Sequence, residues 1–178
     1  ARLDAGRELR REEVDLVGLL VDTVADARAA GPDHDWRLDL AVLEPPADAT
    51  ADEAEDFLPE PPLVIGDEAR LRQVVVNLLA NARVHTPAGS HVTTTLARER
   101  DTLIVRIHDD GPGIAPDVRN RLFERFARGD SSRERRTGST GLGMSIALAI
   151  VQSHGGSIDV DSSTAPEDHG TTFTVRLP

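Results

Sequence analysis

The chain has 178 residues, a formal net charge of −11 and a sequence pI of about 4.9. Because a nucleic-acid-binding domain normally carries a basic excess, this balance argues against DNA or RNA as a partner. The sequence has no cysteine, which excludes disulfides, and no lysine, which excludes a Walker-type phosphate loop. It also lacks the run of about 20 apolar residues that a membrane-spanning helix requires.

The first third of the chain predicts one helix and one strand. Residues 1–13 are mostly charged, and we expect a linker or the frayed end of a preceding helix, as in an excised fragment. Over 14–30 apolar residues recur at helical spacing, which predicts an amphipathic helix that Gly31 and Pro32 end. Polar and apolar residues then alternate over 37–43, which predicts a half-buried strand.

A second helix is predicted further along the chain. The acidic segment 44–56 has almost no apolar residue and predicts an unstructured surface loop, and 63–65 predicts a short strand. Asp67 is a candidate N-cap for the helix that follows. An apolar stripe at helical spacing marks its core-facing side and consists of Leu71, Val74, Val75, Leu78, Leu79 and Ala82.

The remaining segments predict more strands and one long helix. They are strands over 92–97 and 103–107, a short helix over 116–126, a segment without core pattern over 127–140, a helix over 142–153, and strands over 157–160 and 171–177. Three long helices with five or six strands and no internal repeat predict an α+β two-layer sandwich.

A row of polar side chains runs beside the apolar stripe of the second helix. Gln73, Asn77 and Asn81 follow one another at intervals of four residues, which places them on one face. Asparagine is unfavourable inside a helix, because its short amide competes for the backbone. Two amide oxygens on one edge could hold Mg²⁺ that takes its other ligands from phosphate and water. The alternative is that both asparagines face solvent.

An aspartate and two glycines follow the strand over 103–107. The ionised carboxylate of Asp109 only accepts hydrogen bonds, so it suits a donor such as the amino group of adenine. Gly111 and Gly113 would let a flat ring approach the backbone. The alternative interpretation of Asp109 to Gly113 is a tight turn.

A third cluster, Thr140-Gly141-Leu142-Gly143, opens the helix over 142–153. Free backbone N–H groups and the helix dipole make such a start a site for anions. Between this cluster and Asp109 lie seven arginines, of which one or two could clamp a polyphosphate while the others are solvated. Gly129 and Gly138 would let the intervening segment move as a lid.

Taken in order, these motifs resemble the N, G1, F and G2 boxes of the catalytic, ATP-binding domain of sensor histidine kinases. The matching residues are Asn77-x-x-x-Asn81, Asp109-x-Gly111-x-Gly113, Phe123-x-x-Phe126 and Gly141-x-Gly143. The resemblance implies the Bergerat fold, a mixed and mostly antiparallel sheet covered on one face by three helices. It implies a catalytic domain over 14–178, with a lid over about 114–140 and a remnant of the dimerisation helix before residue 14.

The resemblance also implies a role for each matching residue. Asn81 would be the main Mg²⁺ ligand with Asn77 assisting, Asp109 would accept from the adenine amino group with a water shared with Thr171, and Arg128 would reach the terminal phosphates. Asn77, Asn81 and Arg128 are the expected catalytic residues. The expected nucleotide-binding residues are Asn81, Arg83, His85, Asp109, Gly111, Gly113, Ile114, Phe126, Arg128, Thr140, Gly141, Leu142, Gly143 and Thr171.

The chain departs from the family's pattern in two ways. Relatives place a lysine or arginine and then a tyrosine after the second asparagine, where this chain has Val84 and His85, and Arg83 stands one place early. None of the six histidines sits in the expected phosphoacceptor setting. The fragment is therefore expected to bind ATP and Mg²⁺ as a monomer without phosphorylating itself.

The resemblance implies partners that lie outside the sequence. They are a dimerisation domain that carries the acceptor histidine, in a homodimeric parent, and the receiver domain of a response regulator. The domain would lie in the cytoplasm, with the parent anchored in the cell membrane. Two alternatives stay open: a Bergerat-fold ATPase, although Asn77 stands where that class has a glutamate base, and a non-enzymatic module that senses nucleotide.

Overall fold

A five-stranded sheet forms the centre of the molecule. A computed structural model describes residues 10–45, 50–124 and 142–178. The strands of the sheet are β2 (Asp35–Asp39), β4 (His91–Glu99), β5 (Thr102–Asp109), β6 (Ser157–Ala165) and β7 (Asp168–Leu177). Their spatial order is β2-β4-β5-β7-β6, and only the β2–β4 pair is parallel. The mixed, mostly antiparallel sheet is confirmed.

Three helices cover one face of this sheet. They are α1 (Leu16–Ala30), α3 (Glu68–His85) and α5 (Gly143–Ser153). Strands β5 and β7 bury every second side chain against them, because alternate residues of a strand point to the same face. The α+β sandwich is therefore confirmed, and no helix in the described part of the chain is long and apolar enough to cross a membrane.

Helix α3 forms as its sequence pattern predicts. All six residues of the predicted apolar stripe are buried. The carboxylate of Asp67 accepts from the backbone N–H of Arg70, which satisfies one of the unpaired donors at the helix start. The helix ends at His85, immediately before its C-cap Thr86.

The beginning of the chain differs from the prediction. Val14 is not helical but lies in β1 (Glu12–Asp15), which pairs antiparallel with β3 (Leu63–Gly66) in a separate two-stranded sheet. Helix α1 starts only at Leu16, because the Asp15 carboxylate accepts from the backbone N–H of Val17 and caps the helix there. The structured part of the chain thus includes Glu12 and Glu13, which the sequence had placed in a linker.

Two segments near β2 also differ from the prediction. The strand expected over 37–43 lies at Asp35–Asp39, because buried Trp36, whose indole N–H donates to the Gly31 carbonyl, extends the pairing with β4 towards the N-terminus. Ala41–Leu43 forms a 3-10 helix instead. The acidic segment expected to be unstructured contains a short helix, α2 (Ala51–Glu55), built from the strong helix formers alanine and glutamate.

The second half agrees more closely with the sequence patterns. Helix α5 begins at Gly143, one residue after its predicted start, and both C-terminal strands are longer than predicted. The helix predicted over 116–126 is shorter: α4 covers Pro116–Arg119, and turns follow up to Glu124. The last two residues of that predicted helix lie outside the described part of the chain.

Candidate functional site

Asp109, the last residue of β5, lies at the centre of the site. Its side chain is only 4% exposed, and one carboxylate oxygen accepts from the backbone N–H of Gly111 at 3.1 Å. Burial raises the pKa of Asp109 above the ordinary range of a carboxylic acid, although the Gly111 hydrogen bond and nearby His108 oppose this effect. Within the described residues the second carboxylate oxygen of Asp109 has no hydrogen-bond partner, so it can accept from a donor.

The glycines after Asp109 bring this loop close to two other elements. A side chain at Gly111 would collide with the methyl group of Thr86, the residue that ends α3. Gly113 has φ +76°, and a side chain there would collide with the carbonyl oxygen of Ser163 on β6. The two glycines thus allow the loop after Asp109 to contact both α3 and β6.

Polar side chains lie next to one another on β5, β7 and β6, beside Asp109. Asp109 pairs with Thr171 on β7, which is 4% exposed, and Thr171 pairs in turn with Ser162 on β6. The hydroxyl oxygen of Ser162 lies 3.0 Å from that of Thr171 and accepts from the backbone N–H of Ile114 at 2.8 Å. The structure therefore brings together the predicted residues Asp109, Thr171 and Ile114.

The asparagine row of α3 faces the start of α5. The side-chain amide nitrogen of Asn77 donates to the carbonyl oxygen of Gly143 at 3.1 Å, next to Leu142 at the N-cap position. Asn77 and Asn81 are both half-buried, so the interpretation of two solvent-facing amides is wrong for Asn77. The predicted anion site at the helix start thus adjoins the predicted cation ligands.

Helix α3 connects the two halves of the site. Near its middle Asn77 contacts the start of α5, and its C-cap Thr86 contacts the Asp109 loop. Asn77 and Thr86 are nine positions apart, which corresponds to about 13 Å along a helix axis.

Two predicted residues that follow Asn81 lie in different surroundings. His85 is exposed and close enough to Asp109 to lower its pKa through its charge. Arg83 is also exposed, but its aliphatic stem lies over Gly31 at the end of α1, where a side chain on Gly31 would collide with it. Helical geometry puts Arg83 on the side of α3 away from Asn77 and Asn81, so the structure does not bring it to the site.

Four of the predicted site residues, namely Phe126, Arg128, Thr140 and Gly141, lie outside the described residues, as does most of the lid. Phe123, the first residue of the aromatic pair, is partly buried against the core.

The structure adds three residues that sequence reasoning missed. Ser162 contacts both Thr171 and Ile114 of the loop after Asp109. The ring of His169 donates through Nδ1 to the Gly111 carbonyl at 2.8 Å. The backbone N–H and the ring of His91 form hydrogen bonds with the Asp110 carboxylate. Burial alone would raise the pKa of Asp110, but hydrogen bonds from the backbone and ring of His91 lower it. No sequence motif marks these residues, because their contacts depend on the register of strands far apart in the chain.

The candidate site thus consists of a buried carboxylate at a strand end, joined by one asparagine-bearing helix to a helix start. The family model described as histidine kinase-, DNA gyrase B- and HSP90-like ATPase matches residues 66–178. The chain therefore belongs to this family. Its relatives narrow the class further, to the catalytic domain of sensor histidine kinases.

Three relatives each match 94% or more of this chain. The probable sensor histidine kinase TcrY of Mycobacterium tuberculosis is 49% identical over 178 residues, which are 100% of this chain and 33% of TcrY. The solved structure of the mycobacterial sensor histidine kinase MprB superposes with a TM-score of 0.75 and 30% identity, covering 94% of this chain and 97% of that chain. ShkA, solved at full length in complex with AMPPNP, superposes with a TM-score of 0.73 and 25% identity, covering 98% of this chain and 32% of that chain. The chain spans about a third of the length of the curated relatives it matches.

Proposed function

We propose that this domain binds Mg-ATP and transfers its γ-phosphate to a histidine on a dimerisation domain, for onward transfer to the receiver domain of a response regulator. The observation that carries the proposal is α3, which joins buried Asp109 to the start of α5 through Thr86 and Asn77. The match of the whole chain to a third of the sensor histidine kinase TcrY, and the AMPPNP bound by ShkA, support it.

Each proposed contact follows from the chemistry of its side chain. Asp109 accepts from the adenine amino group, with Thr171 beside it, while Gly111, Gly113 and Ile114 form the wall of the base pocket. The phosphates lie at the start of α5, where the N–H groups of Leu142 and Gly143 favour anions. Thr140 and Gly141, which precede them in the sequence, are further proposed contacts. Arg128 and Phe126 are proposed contacts from the lid. Arg83 leaves the proposal because of its position over Gly31.

The side chains of α3 fit a Mg²⁺ ion that is shared with phosphate. The amide nitrogen of Asn77 donates to the carbonyl oxygen of Gly143. Within the described residues the amide oxygen of Asn77 and the side chain of Asn81 have no hydrogen-bond partner. The described residues also contain no cluster of three acidic or histidine side chains that could enclose a metal. We propose that Asn81, assisted by Asn77, holds Mg²⁺, which neutralises phosphate charge when bound.

Hydrolysis of ATP is the weaker candidate. A Bergerat ATPase needs a carboxylate base to activate water, and the residue at that position is Asn77, whose amide nitrogen is engaged with the Gly143 carbonyl. An amide does not take up a proton at neutral pH. A positioned phosphoacceptor supplied by another domain therefore suits the site better than water.

The domain boundary and the cellular setting belong to the same proposal. We place the start of the catalytic domain before Glu12, because β1 pairs with β3. Upstream lies the end of the dimerisation helix, in a homodimeric parent anchored in the cell membrane with this domain in the cytoplasm. Isolated, the domain is a monomer that binds nucleotide but does not phosphorylate itself.

Radiolabelled ATP separates the three candidate functions. The domain is mixed with Mg²⁺, γ-labelled ATP and a separately produced dimerisation domain, with an acceptor His→Ala variant of that domain as the control. Acid-labile label on the dimerisation domain, absent from the control, is the expected result. Release of labelled phosphate with no label on the dimerisation domain would support an ATPase. Nucleotide binding with neither labelling nor phosphate release would support a sensing module.

A further inference from the structure

We propose that Ser162 is a positioning residue that fixes the direction of the Thr171 hydroxyl and thereby contributes to discrimination between adenine and 6-oxopurine nucleotides. This inference rests on the proposed function, since it assumes that the purine base lies beside Asp109. Ser162 lies on β6, outside every motif that marks the site, and reaches the pocket only through the pairing of β6 with β7.

The contacts of Ser162 determine where its single proton goes. Its hydroxyl oxygen lies 2.8 Å from the carbonyl oxygen of Gly170 and 2.8 Å from the backbone nitrogen of Ile114. A carbonyl oxygen only accepts and a backbone N–H only donates. The Ser162 hydroxyl therefore donates its proton to the Gly170 carbonyl and accepts from the Ile114 N–H with one lone pair. The remaining contact, 3.0 Å to the Thr171 hydroxyl, must then be a donation by Thr171.

The carbonyl that takes the Ser162 proton is itself fixed by the backbone. Gly170 has φ +148°, and a side chain at that position would lie 2.5 Å from the carbonyl oxygen of Asp109. Only glycine allows β7 to approach β5 this closely with this carbonyl direction. The hydrogen-bond direction therefore runs from Thr171 to Ser162 and from Ser162 to the carbonyl of Gly170.

Thr171 consequently presents lone pairs and no proton to the pocket. Thr171 is paired directly with Asp109, and both side chains are 4% exposed on the helix-covered face. Two neighbouring acceptors favour a base with an exocyclic amino group, such as adenine, over one with an exocyclic carbonyl, such as hypoxanthine. An unpaired donor or acceptor in such a pocket is costly, so the direction of one proton affects base choice.

The test compares the affinities for ADP and IDP by calorimetry, without metal, in wild type, Ser162→Ala, Thr171→Val and the double variant. Wild type is expected to prefer ADP. Ser162→Ala frees the Thr171 proton to point into the pocket, so the preference should fall by about tenfold, the equivalent of one hydrogen bond. In the Thr171→Val background the Ser162→Ala change should leave the ADP-to-IDP ratio unmoved, because the residue acts through Thr171.

Two further variants separate this role from a merely structural one. Ser162→Thr keeps the hydroxyl and should restore the wild-type ratio, whereas Ser162→Cys keeps the size with a weak donor and should resemble alanine. The cysteine variant also serves if Ser162→Ala does not fold.

An unchanged ratio in both Ser162→Ala and Ser162→Cys, or equal effects with and without Thr171, would overturn the inference while leaving ATP binding intact. Loss of all purine binding by wild type would overturn the proposed function, and this inference with it.

Discussion

The proposed function gives Asp109 and Asn81 different chemistry in nucleotide binding. Asp109 is a buried acceptor at the proposed base end of the site, and Asn81, on α3, is the main proposed Mg²⁺ ligand. A loss of affinity that appears only with Mg²⁺ can therefore be assigned to Asn81, and a loss that appears with and without Mg²⁺ can be assigned to Asp109.

Asn81→Ala should abolish the tightening of ATP binding by Mg²⁺ while leaving ADP binding in EDTA nearly intact. Asp109→Asn should weaken all adenine nucleotides by about 10- to 100-fold with or without metal, because a hydrogen bond to a charged group is lost. Calorimetry with and without Mg²⁺ measures both effects, and Gln73→Ala, from the same polar row, is the control. Equal loss under both conditions for Asn81→Ala would contradict its assignment to the metal.

The ionised Asp109 carboxylate should also lower the free energy of unfolding at neutral pH, since burial raises the folded-state pKa of this group. For such a group the favourable contribution is present below the unfolded pKa and is lost as pH rises through the folded pKa. At neutral pH, Asp109→Asn, which keeps an acceptor for the Gly111 N–H, should raise the free energy of unfolding by about 1 kcal/mol. Denaturant unfolding at several pH values measures it.

Asp110 provides the matched control of opposite sign. The hydrogen bonds from His91 lower its folded pKa, so its contribution is present above the unfolded pKa and is lost as pH falls through the folded pKa. Asp110→Asn should therefore slightly destabilise the domain at neutral pH. Stabilisation by both variants, or by neither, would show that burial does not govern Asp109.

A substitution at Gly113 tests the close approach of the loop after Asp109 to β6. Gly113→Ala adds a collision with Ser163 to the cost of a left-handed backbone, and should destabilise by well over about 2 kcal/mol. Gly89 is the control: its φ is +88° but no atom lies within 4 Å of an added side chain, so alanine there should cost only about 1 kcal/mol. Similar melting temperatures for the two variants would refute the proposed close contact.

At the level of elements, helix α3 was predictable and strand β1 was not. The stripe of α3 repeats within 18 residues, so local spacing is enough to locate it. Val14 of β1 also fitted a helical period, but it pairs with Val64, which is 50 positions further along the chain, and no local pattern reports such a pairing. The same reason separates Asp109, found from its own motif, from Ser162 and His169, which only strand register brings to the loop.

A pair of substitutions in α3 measures the importance of its buried stripe. Leu78 is 1% exposed, and Leu78→Ala should cost about 2–5 kcal/mol because it removes core contacts and leaves a cavity. Val76, two residues earlier in the same helix, is 44% exposed, and Val76→Ala should change stability by less than about 1 kcal/mol. Chemical denaturation of both variants checks the difference. A comparable cost at both positions would mean that α3 is not oriented as described.

Considered as a whole, the molecule joins a large sheet to a small one. Strand β5 has a paired neighbour on each side and a buried face. Within the described residues β1 and β3 pair only with each other, and Leu63 and Ile65 are partly exposed. Two-stranded sheets are at best marginally stable by themselves. The two sheets should therefore differ in how often they open.

Hydrogen exchange with mass spectrometry should detect this difference. The amides of β1 and β3 are expected to exchange through local opening, while those of β5 and β7 exchange only with global unfolding. Mild denaturant is the control, since it accelerates global but not local opening. Equal protection in both sheets would show that the small sheet is as cooperative as the large one.

The parallel pairing of β2 with β4 has a practical consequence for anyone who shortens this protein. The region that matches the family model starts at residue 66, yet β2 borders β4, and α1 adds Leu19 and Leu20 to the core. A chain trimmed to that start would expose the hydrogen-bonding groups of β4 as a free edge beside uncovered apolar side chains. Unprotected edges of this kind recruit other strands, so such a truncation should aggregate rather than bind nucleotide.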